Sequence, residues 1–474
     1  MNIYAKYLCC FSLLLLCACT VTPTELDTQQ HAELVEADQE KLKTYDPESG
    51  QVALSLEEAL KRGGEVNLDA RVAALEALAA DGQVDLARIN AYPSLSLAAN
   101  YIGRSNEGAA SSRSILSGTE SLEPSFSTEQ YRMAGDLSLN WSILNIMLAV
   151  SQTQNAKTQQ KIAAERYNKV LQNIQKDIYA AYYRALVAQK TQDMTGKLLD
   201  KAEEQLQNLA QAQNRGLLSK EAVYRQKQQL QEAVSSLREL QGQISLSDLE
   251  LKSLLSYPQE THLKLTETSI SPLDLDIESL LAEDISILEI EALQQRPEVR
   301  ESILQQNISR QNIREELIRT VPGANLFLAL NRDSNQFLQE SQWANFTLSV
   351  EQNLAAILSY PTRRKAAKNE KELEEARRLS LTLAIMTQVH LARQRLDFFR
   401  NLSQDRKKEY EYQQSMSYAA YKKAELGFET KQDALLNEIQ AQIKKINYYQ
   451  LLAEFQDAYA TMNNTLARDL LIKP

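Results

Sequence analysis

The chain has 474 residues, a formal net charge of −10, and only 13 glycines and 10 prolines. The negative charge argues against a nucleic-acid-binding protein, which would need a basic surface. Because residues that interrupt helices are rare, long helices are predicted. After the N-terminal segment there is no apolar run long enough for a transmembrane helix, so any membrane-spanning part must be built from strands.

The N-terminal segment has the pattern of an export signal. Lys6 precedes the apolar run LCCFSLLLLCAC, which is too short to span a bilayer as a helix. Leu16-Cys17-Ala18-Cys19 matches the bacterial lipobox, so cleavage before Cys19 and lipidation of its thiol, with palmitate among the acyl groups, are predicted. The alternative is an ordinary cleaved signal peptide in which this cysteine is accidental.

All four cysteines lie in this segment, so the mature chain would keep only Cys19. This excludes a disulfide framework and a cysteine-ligated metal site. Thr20, in place of an aspartate after the lipidated position, resembles lipoproteins that are sorted to the outer membrane. The acidic, proline-containing stretch 21–50 predicts an extended tether.

The remaining chain contains one pattern twice. Pro93 opens an alternating strand, PSLSLAANYIG, which a loop connects to a second one, DLSLNWSIL at 136–144. The same order recurs from Pro322 in TVPGANLFLALN to TLSVEQNL at 347–354. The two prolines lie 229 positions apart, whereas the strands after the loops lie 211 apart. An insertion confined to one strand–strand loop, with the register kept on both sides, indicates a duplicated structural unit.

Long helices flank both strand pairs. In the first copy a helix runs from the predicted N-cap Ser55 to about Ile89. A second helix, from about Leu148 to Asn214, has about 65 residues and a length of roughly 100 Å. The helix after Gly216 carries apolar residues seven apart, which predicts a coiled-coil seam: Val223, Leu230, Leu237, Ile244 and Leu251.

The second copy repeats these helices at about 286–319, about 362–425, and from Gly427 to about Leu470. Gly216 and Gly427, in the two helical turns, also lie 211 positions apart. Each copy therefore predicts one long antiparallel helical hairpin.

The predicted strands have one apolar and one polar face, since side chains alternate along a strand. This pattern suits either a soluble sandwich or a transmembrane barrel, and about ten residues per strand is enough to cross a tilted hydrocarbon core. Four strands alone would leave their edges unpaired in lipid, so other copies of the chain would have to complete a barrel. The candidate lipid-facing residues are Leu95, Leu97, Tyr101, Leu137, Leu139 and Trp141.

The lipobox, the duplicated order of elements and the strings LSLEEAL, AYPSLSLAANY, LSLNWSIL and ALQQRPEVR resemble the TolC-type outer membrane efflux family over about residues 52–470. The resemblance implies a mainly α fold with a β-barrel part: four strands per chain completing a twelve-stranded barrel, and helices forming a periplasmic tunnel, in a homotrimer. It also implies an outer membrane location in a Gram-negative bacterium, a large periplasmic portion, and as partners a periplasmic adaptor protein and an inner-membrane transporter. It does not separate drug, metal and protein export.

Several positions depart from the family pattern. The glycine-rich turn that commonly follows the second strand is replaced by Asn145-Ile146-Met147 in the first copy and by Ala355-Ala356-Ile357 in the second. Gln352 occupies the position of Trp141, and the loop near Arg332–Asp333 is short. These departures leave open how much lipid-facing surface the second strand pair offers.

The two hairpin turns align glycine on glycine, with a hydroxyl residue three positions later that can cap the returning helix. Both are tight helical turns in any case. The resemblance adds adaptor docking as a second role, for Arg215, Gly216, Leu217 and Ser219 in the first turn and Leu426, Gly427, Phe428 and Thr430 in the second.

Asp433 matches the position at which the family places a carboxylate ring that narrows the closed periplasmic entrance. Three such carboxylates around an axis would repel one another and attract cations. The family's second gate aspartate is Leu436 here, so a double ring is not expected. The competing interpretation of Asp433 is an ordinary solvated helix position.

Catalysis is not predicted. His31 lies in the tether, and His262 and His390 lack partners at the spacing of a zinc site. Neither a phosphate-binding glycine loop nor a nucleophile elbow is present, and no cofactor is expected apart from the lipid on Cys19. The main rival to a channel is a structural coiled-coil envelope lipoprotein with a small soluble sheet.

The predicted organisation is a signal peptide at 1–18, a lipidated tether at 19–50, a first repeat at 51–257, a linker at 258–284 and a second repeat at 285–470. Within the repeats the strand pairs are expected at about 93–144 and 322–354, and the hairpins at about 148–256 and 362–470.

Overall fold

A computed structural model of the chain describes residues 28–45, 51–120, 123–214, 220–267, 269–270 and 277–470. The predicted signal peptide, Cys19 and the first hairpin turn, 215–219, lie outside these residues.

The chain begins with a helix that precedes the first repeat, and the elements of that repeat follow up to the end of the first hairpin. In order they are α1 (Thr28–Tyr45), which lies before the repeat, β1 (Gln51–Leu54), α2 (Leu56–Val66), α3 (Leu68–Ile89), β2 (Ser94–Gly103), β3 (Ala109–Ala110), β4 (Ser125–Phe126), β5 (Tyr131–Ser142), α4 (Ile143–Asn214) and α5 (Lys220–Leu254).

The linker and the second repeat follow in the same order. They comprise β6 (His262–Leu265), α6 (Ile277–Ala282), α7 (Ile285–Gln295), α8 (Pro297–Ile318), β7 (Gly323–Asp333), β8 (Gln342–Glu351), α9 (Leu354–Glu425) and α10 (Lys431–Leu466).

Three pairs of equivalent helices have identical lengths in the two repeats. α4 and α9 each contain 72 residues, α3 and α8 each contain 22, and α2 and α7 each contain 11. A 72-residue helix is about 108 Å long at 1.5 Å per residue. The difference between the copies lies in the strand–strand loop, which covers 104–130 in the first repeat and 334–341 in the second.

Each 72-residue helix packs against several shorter helices. α5 packs on α4 and α10 packs on α9, which forms the two hairpins. α3 packs on α4, and α8 packs between α4 and α9. The first hairpin contacts the second through α4 and α10, and most of the predicted seam on α5 is buried, including Val223, Leu230, Leu237 and Leu251.

Buried side chains form a central core where both repeats meet. Tyr182 and Ile178 on α4 pack with Leu251 of α5 and Leu452 of α10. A second cluster joins α7, α9 and α10 around Leu288, Leu396 and Phe455. A third one lies toward the hairpin turns. Beside the central core, β1 and β6 form a short parallel pair that the sequence patterns do not predict.

Two predicted helices are each broken into two. The helix expected from Ser55 to Ile89 is interrupted at Asn67, whose side-chain oxygen accepts hydrogen bonds from the backbone of Asp69 and Ala70 and so starts α3. The helix expected at 286–319 is interrupted at Arg296, which precedes Pro297. The break arises because a residue before proline is pushed toward extended backbone.

Three helix boundaries also differ from the predictions, and β5 and β8 each begin five residues earlier than the predicted strands at 136–144 and 347–354. α4 begins directly after β5 and not at Leu148, and α9 begins at Leu354 and not at 362, because Asn353 caps it through the backbone N–H of Ala356. Pro361 therefore lies inside α9. α10 ends at Leu466 instead of Leu470, because Ala467 adopts a left-handed conformation.

The prediction of an extended tether at 21–50 is wrong for Thr28–Tyr45, because these residues form the helix α1. Its sequence, TQQHAELVEADQEKLKTY, is dominated by good helix formers, and this propensity outweighs its acidic character. Within the described ranges, none of the helices is apolar over enough of its length to cross a membrane.

Candidate functional site

The four longer strands form one open antiparallel sheet in the order β2-β5-β7-β8. The second strand of the first repeat pairs with the first strand of the second, for example Leu139 with Leu328. All four strands connect to long helices at the same end of the sheet, and the loops 104–130 and 334–341 lie at the other end. β2 and β8 are the two edges of this sheet.

One face of the sheet is apolar across all four strands. In register, Leu97 pairs with Leu137, Leu137 with Leu330, and Leu328 with Phe346. The six predicted lipid-facing residues alternate along β2 and β5 and lie on this face, with Leu97 81% exposed and Leu139 partly buried: Leu95, Leu97, Tyr101, Leu137, Leu139 and Trp141.

The second strand pair also presents large exposed apolar side chains. Phe346, Leu348 and Val350 on β8 are 66–73% exposed, and Leu330 on β7 is 61% exposed. These residues were not among the predicted site residues, although the alternation in TLSVEQNL carries the same signal as LSLNWSIL. The replacement of Trp141 by Gln352 therefore does not remove the apolar face from the second repeat.

The opposite face is mainly polar. Ser96 and Ser138 share a hydrogen bond of 2.8 Å between neighbouring strands. Asn100, Asp136 and Asn140 continue this face, and β8 adds a second row of polar residues: Asn345, Thr347, Ser349 and Glu351. A sheet with one apolar and one polar face can separate an apolar phase from water.

At the helical end of the sheet, Trp141 and Gln352 make the same contact in the two repeats. The indole Nε1–H of Trp141 donates to the carbonyl of Ala91 over 3.2 Å. The side-chain amide of Gln352 donates to the carbonyl of Thr320, also over 3.2 Å. Each carbonyl belongs to the residue two positions before the proline that precedes a strand, so both side chains fasten a strand end to the helix–strand turn.

At the other end, the short loop of the second repeat holds the long loop of the first. The buried side chain of Asn335 donates to the carbonyl of Ser127 over 3.0 Å and accepts from the backbone N–H of Glu129 over 3.1 Å. Asp333, also buried, forms an ion pair with Arg132. The base of loop 104–130 is therefore fixed to the sheet.

The second hairpin turn is a helix C-cap with glycine in the left-handed region. Gly427 has φ +78°, and the backbone N–H of Phe428 donates to the carbonyl of Lys423 over 2.9 Å, which is the Schellman arrangement. Leu426 and Phe428 are 72% and 82% exposed. Thr430 caps α10. The equivalent Arg215, Gly216, Leu217 and Ser219 lie outside the described residues.

Asp433 takes part in the cap of α10. Its backbone N–H donates to the Thr430 hydroxyl over 3.1 Å, and that hydroxyl donates to the Asp433 carboxylate over 2.6 Å. A carboxylate in the first turn also interacts favourably with the helix dipole. The structure thus gives Asp433 a local structural role, on a partly exposed side chain near the hairpin turn.

A charged cluster joins three helices near the central core. Glu298 accepts from Arg296 over 2.8 Å and from Lys169 over 2.9 Å, and Arg296 also donates to Gln388 of α9 over 2.6 Å. Burial acts to raise the pKa of Glu298, but the hydrogen bonds from Arg296 and Lys169 outweigh it and lower this pKa to about 2. Glu298 is therefore a structural carboxylate.

Among the described residues, there is no group of three or more histidine, cysteine, aspartate or glutamate side chains arranged to hold a metal ion. His390 contacts Glu289 over 2.9 Å, which is a single pair.

The arrangement of the sheet and the hairpins is similar to the fold of several solved outer membrane channels. The structure is similar to the outer-membrane channel OprN, with a TM-score of 0.66 and 15% sequence identity over 91% of this chain and 92% of that one. It is also similar to the CmeC outer membrane channel of Campylobacter jejuni, with a TM-score of 0.68 and 12% identity over 87% of this chain and 85% of that one. For the MtrE outer membrane channel of Neisseria gonorrhoeae in its open state, the TM-score is 0.64 at 13% identity, over 87% of this chain and 89% of that one.

Residues 59–256 match the family model of the outer membrane efflux proteins, which covers most of the first repeat. No curated protein sequence matches the chain significantly. The predicted resemblance to the outer membrane efflux protein family is therefore confirmed, by the family model in the first repeat and by the fold over most of the chain.

Proposed function

We propose that the protein is the outer membrane channel of a tripartite efflux or secretion system, and that it conducts substrates passively without catalysing a reaction. Three copies form the channel, each contributes four strands to a twelve-stranded barrel, and lipid on Cys19 anchors each chain to the outer membrane.

The observation that carries this proposal is the open sheet with one exposed apolar face. Large apolar side chains on four adjacent strands are unfavourable in water, and each gains roughly 1.5–3 kcal/mol when it is buried in an apolar phase. The strands have 10–12 residues, which is enough to cross a bilayer as tilted strands. A soluble spacer protein would have no use for such a face.

The unpaired edges of the sheet explain why several copies of the chain would be needed to form a barrel. Unpaired strand edges are not tolerated in lipid, so β2 and β8 need partners. β2 runs away from the helical end and β8 runs toward it, so β8 of one copy would pair antiparallel with β2 of the next. Repeating this contact around an axis closes a barrel whose polar face lines the water-filled interior.

A helical surface supports the same assembly. Apolar residues on α3 follow a coiled-coil spacing and are 41–56% exposed in the single chain: Leu68, Val72, Leu75, Leu86 and Ile89. Such a heptad surface normally packs against another helix. In the proposed trimer, a neighbouring copy covers it.

The hairpin turns are the proposed contact with a periplasmic adaptor protein, which connects the channel to an inner-membrane transporter. Leu426 and Phe428 project from a rigid cap into solvent, which suits an apolar docking contact. Asp433 is the candidate gate residue behind this turn.

The test uses the full-length protein, purified from outer membranes and added to a planar lipid bilayer. We expect defined single-channel conductance steps, heat-modifiable trimers on gels, and loss of both when Leu348→Pro removes an outward-pointing backbone N–H of β8 and so blocks pairing of that edge. Pulse labelling with palmitate, with Cys19→Ala as the control, tests the lipid anchor. A non-conducting protein that stays soluble without detergent would instead be a structural lipoprotein.

A further inference from the structure

Loop 104–130 ends in a turn that presents two large apolar side chains to solvent. Ile115 and Leu116 are adjacent and both 100% exposed. Their loop connects β2 and β5 at the end of the sheet opposite the helices. Because such side chains are unfavourable in water, the turn is suited to a contact that buries them.

The turn has a defined conformation. The backbone N–H of Ser114 donates to the carbonyl of Thr119 over 2.8 Å, and that of Gly118 donates to the carbonyl of Ser114 over 3.0 Å. The Arg113 guanidinium donates to the Gly118 carbonyl over 2.9 Å, and Gly118 has φ +68°, which favours glycine. The apolar pair is thus held by an ordered turn on a loop whose base is fixed by Asn335.

The loop carries charges of both signs. It contains two arginines and four glutamates, a net charge of −2 (+2 − 4): Arg104, Arg113, Glu107, Glu120, Glu123 and Glu129. In a ring of identical loops, an arginine of one copy can meet a glutamate of the next, which offsets part of the repulsion between the acidic side chains. The attraction between the loops therefore has to come from the apolar pair.

The proposed barrel places these loops within reach of one another. Twelve strands about 4.8 Å apart and tilted by about 40° form a barrel with a radius of about 12 Å. The arm from Arg104 to Ile115 can span up to roughly 40 Å when extended. The loop continues directly from β2, the edge that would pair with the neighbouring copy.

We propose that the Ile115–Leu116 tips of three copies meet over the outer mouth of the barrel and form an apolar constriction. Apolar constrictions hinder ions by excluding water. This inference rests on the proposed trimeric channel. It also gives the inserted residues of the first repeat a role that the second repeat, with its short loop, does not share.

The first test is single-channel recording with the double variant Ile115→Ser, Leu116→Ser. We expect a severalfold higher open probability than in the unmodified protein. The matched control is Leu338→Ser, an exposed apolar residue in the short loop at the same end, which should leave the recording unchanged. Equal behaviour of the double variant and the unmodified protein would overturn the constriction, whereas absence of conductance in both would overturn the channel itself.

The second test introduces one cysteine at the tip of the loop. The Leu116→Cys variant should form disulfide-linked dimers of the chain in outer membranes under mild oxidation, and the link should lower conductance until a reductant is added. The Ser105→Cys variant, altered near the base of the same loop, and the unmodified protein should form none.

Two outcomes of this second test would contradict the constriction. If the Leu116→Cys variant forms no cross-link and its new thiol is protected from a water-soluble maleimide, the tips lie in lipid. If it forms no cross-link and the thiol is labelled freely, the tips lie apart in water.

Discussion

The two helices that precede the strands are α2 and α3 in the first repeat and α7 and α8 in the second. The break between them has a different cause in each repeat. Asn67 and Arg296 have almost the same backbone, with φ −61°, ψ 129° and φ −67°, ψ 130°. In the first repeat the side chain of Asn67 caps the next helix and donates to the carbonyl of Leu254. In the second, Pro297 sets the break, and the Arg296 side chain binds Glu298 instead.

The strand ends show the same relation. Trp141 and Gln352 are chemically unlike, yet each donates one hydrogen bond to the equivalent carbonyl. The two repeats therefore share hydrogen bonds and backbone angles even at positions where their residue types differ. The long loop and Asp433 have no such counterpart in the other repeat, so they are the candidates for functions that only one repeat has.

The largest expected effect tests whether both strand pairs lie in the membrane. Leu137 and Leu348 are equivalent, and both lie on the apolar face. Leu137→Arg and Leu348→Arg should each cost about 2–4 kcal/mol, because a charge then faces hydrocarbon. The measurement is urea unfolding in lipid bilayers, with Thr347→Arg on the polar face as the control. A much smaller effect at Leu348 would place the second pair outside the membrane.

Disrupting the charged cluster of Arg296, Glu298 and Lys169 should have the second-largest effect on stability. Glu298→Gln is expected to cost about 2–3 kcal/mol at neutral pH, since the lowered pKa corresponds to roughly 3.5 kcal/mol at about 1.4 kcal/mol per unit and the partial exposure of Glu298 to solvent reduces this energy. The folded-state pKa is lowered to about 2 from an ordinary 4.5. The stabilisation is therefore fully present well above the ordinary pKa and is lost as the pH falls toward 2.

The check is the free energy of unfolding in detergent at neutral pH and at successively lower pH. The difference between the unmodified protein and Glu298→Gln should shrink as the pH falls below the ordinary pKa of 4.5. Asp69→Asn, the same carboxylate-to-amide change at the equivalent position of the first repeat, is the matched control. A pH-independent difference would contradict the role of the ionised carboxylate.

The cap of the first repeat should contribute less. Asn67→Ala is expected to cost about 1–2 kcal/mol, because two backbone N–H groups lose their acceptor. Asn67→Asp keeps the acceptor and loses only the donor to Leu254, so thermal unfolding should show a smaller loss. If both variants unfold alike, the cap is not the main contribution of Asn67.

The strand-end hydrogen bond should be worth about 1 kcal/mol. Trp141→Gln places the residue of the second repeat in the first and should retain most of this energy, whereas Trp141→Phe keeps a ring and loses the donor. Chemical unfolding of both variants decides between them. Greater stability of the Phe variant would show that ring packing, not the hydrogen bond, is what Trp141 supplies.

Asp433 should have the smallest effect on stability, about 0.5–1 kcal/mol through the cap. The first repeat has Ala222 at this position. Asp433→Asn should nevertheless change cation selectivity in planar bilayers if three carboxylates face the axis. Thr430→Val breaks the same cap but leaves the carboxylate of Asp433 in place. Altered cation selectivity in Asp433→Asn together with unchanged selectivity in Thr430→Val would show that Asp433 acts at the gate and not only through the cap. Identical recordings for both would reduce Asp433 to a capping residue.

The sequence patterns were sufficient for the long helices and the paired strands, because alternation and helical periodicity are local and extend over many residues. The breaks at Asn67 and Arg296 were missed, since one capping residue or one proline interrupts a pattern without changing its period. The position of Phe346 and Leu348 on the apolar face can be predicted from the alternation of β8. The hydrogen bond from Asn335 to Ser127 in loop 104–130 cannot be predicted in this way, because it joins residues 208 positions apart.

The lengths of the hairpin helices have a mechanical consequence. α10 runs from Lys431 to Leu466, and the part from the core residue Gln456 to the turn is about 38 Å long at 1.5 Å per residue. Rotating this segment as a rigid rod by about 5° about Gln456 moves the turn by about 3 Å. A slight repacking around the buried Tyr179–Gln456 hydrogen bond of 2.9 Å would therefore be magnified at the far end of the helix. The molecule converts small angular changes in a well-packed centre into large displacements at its tips.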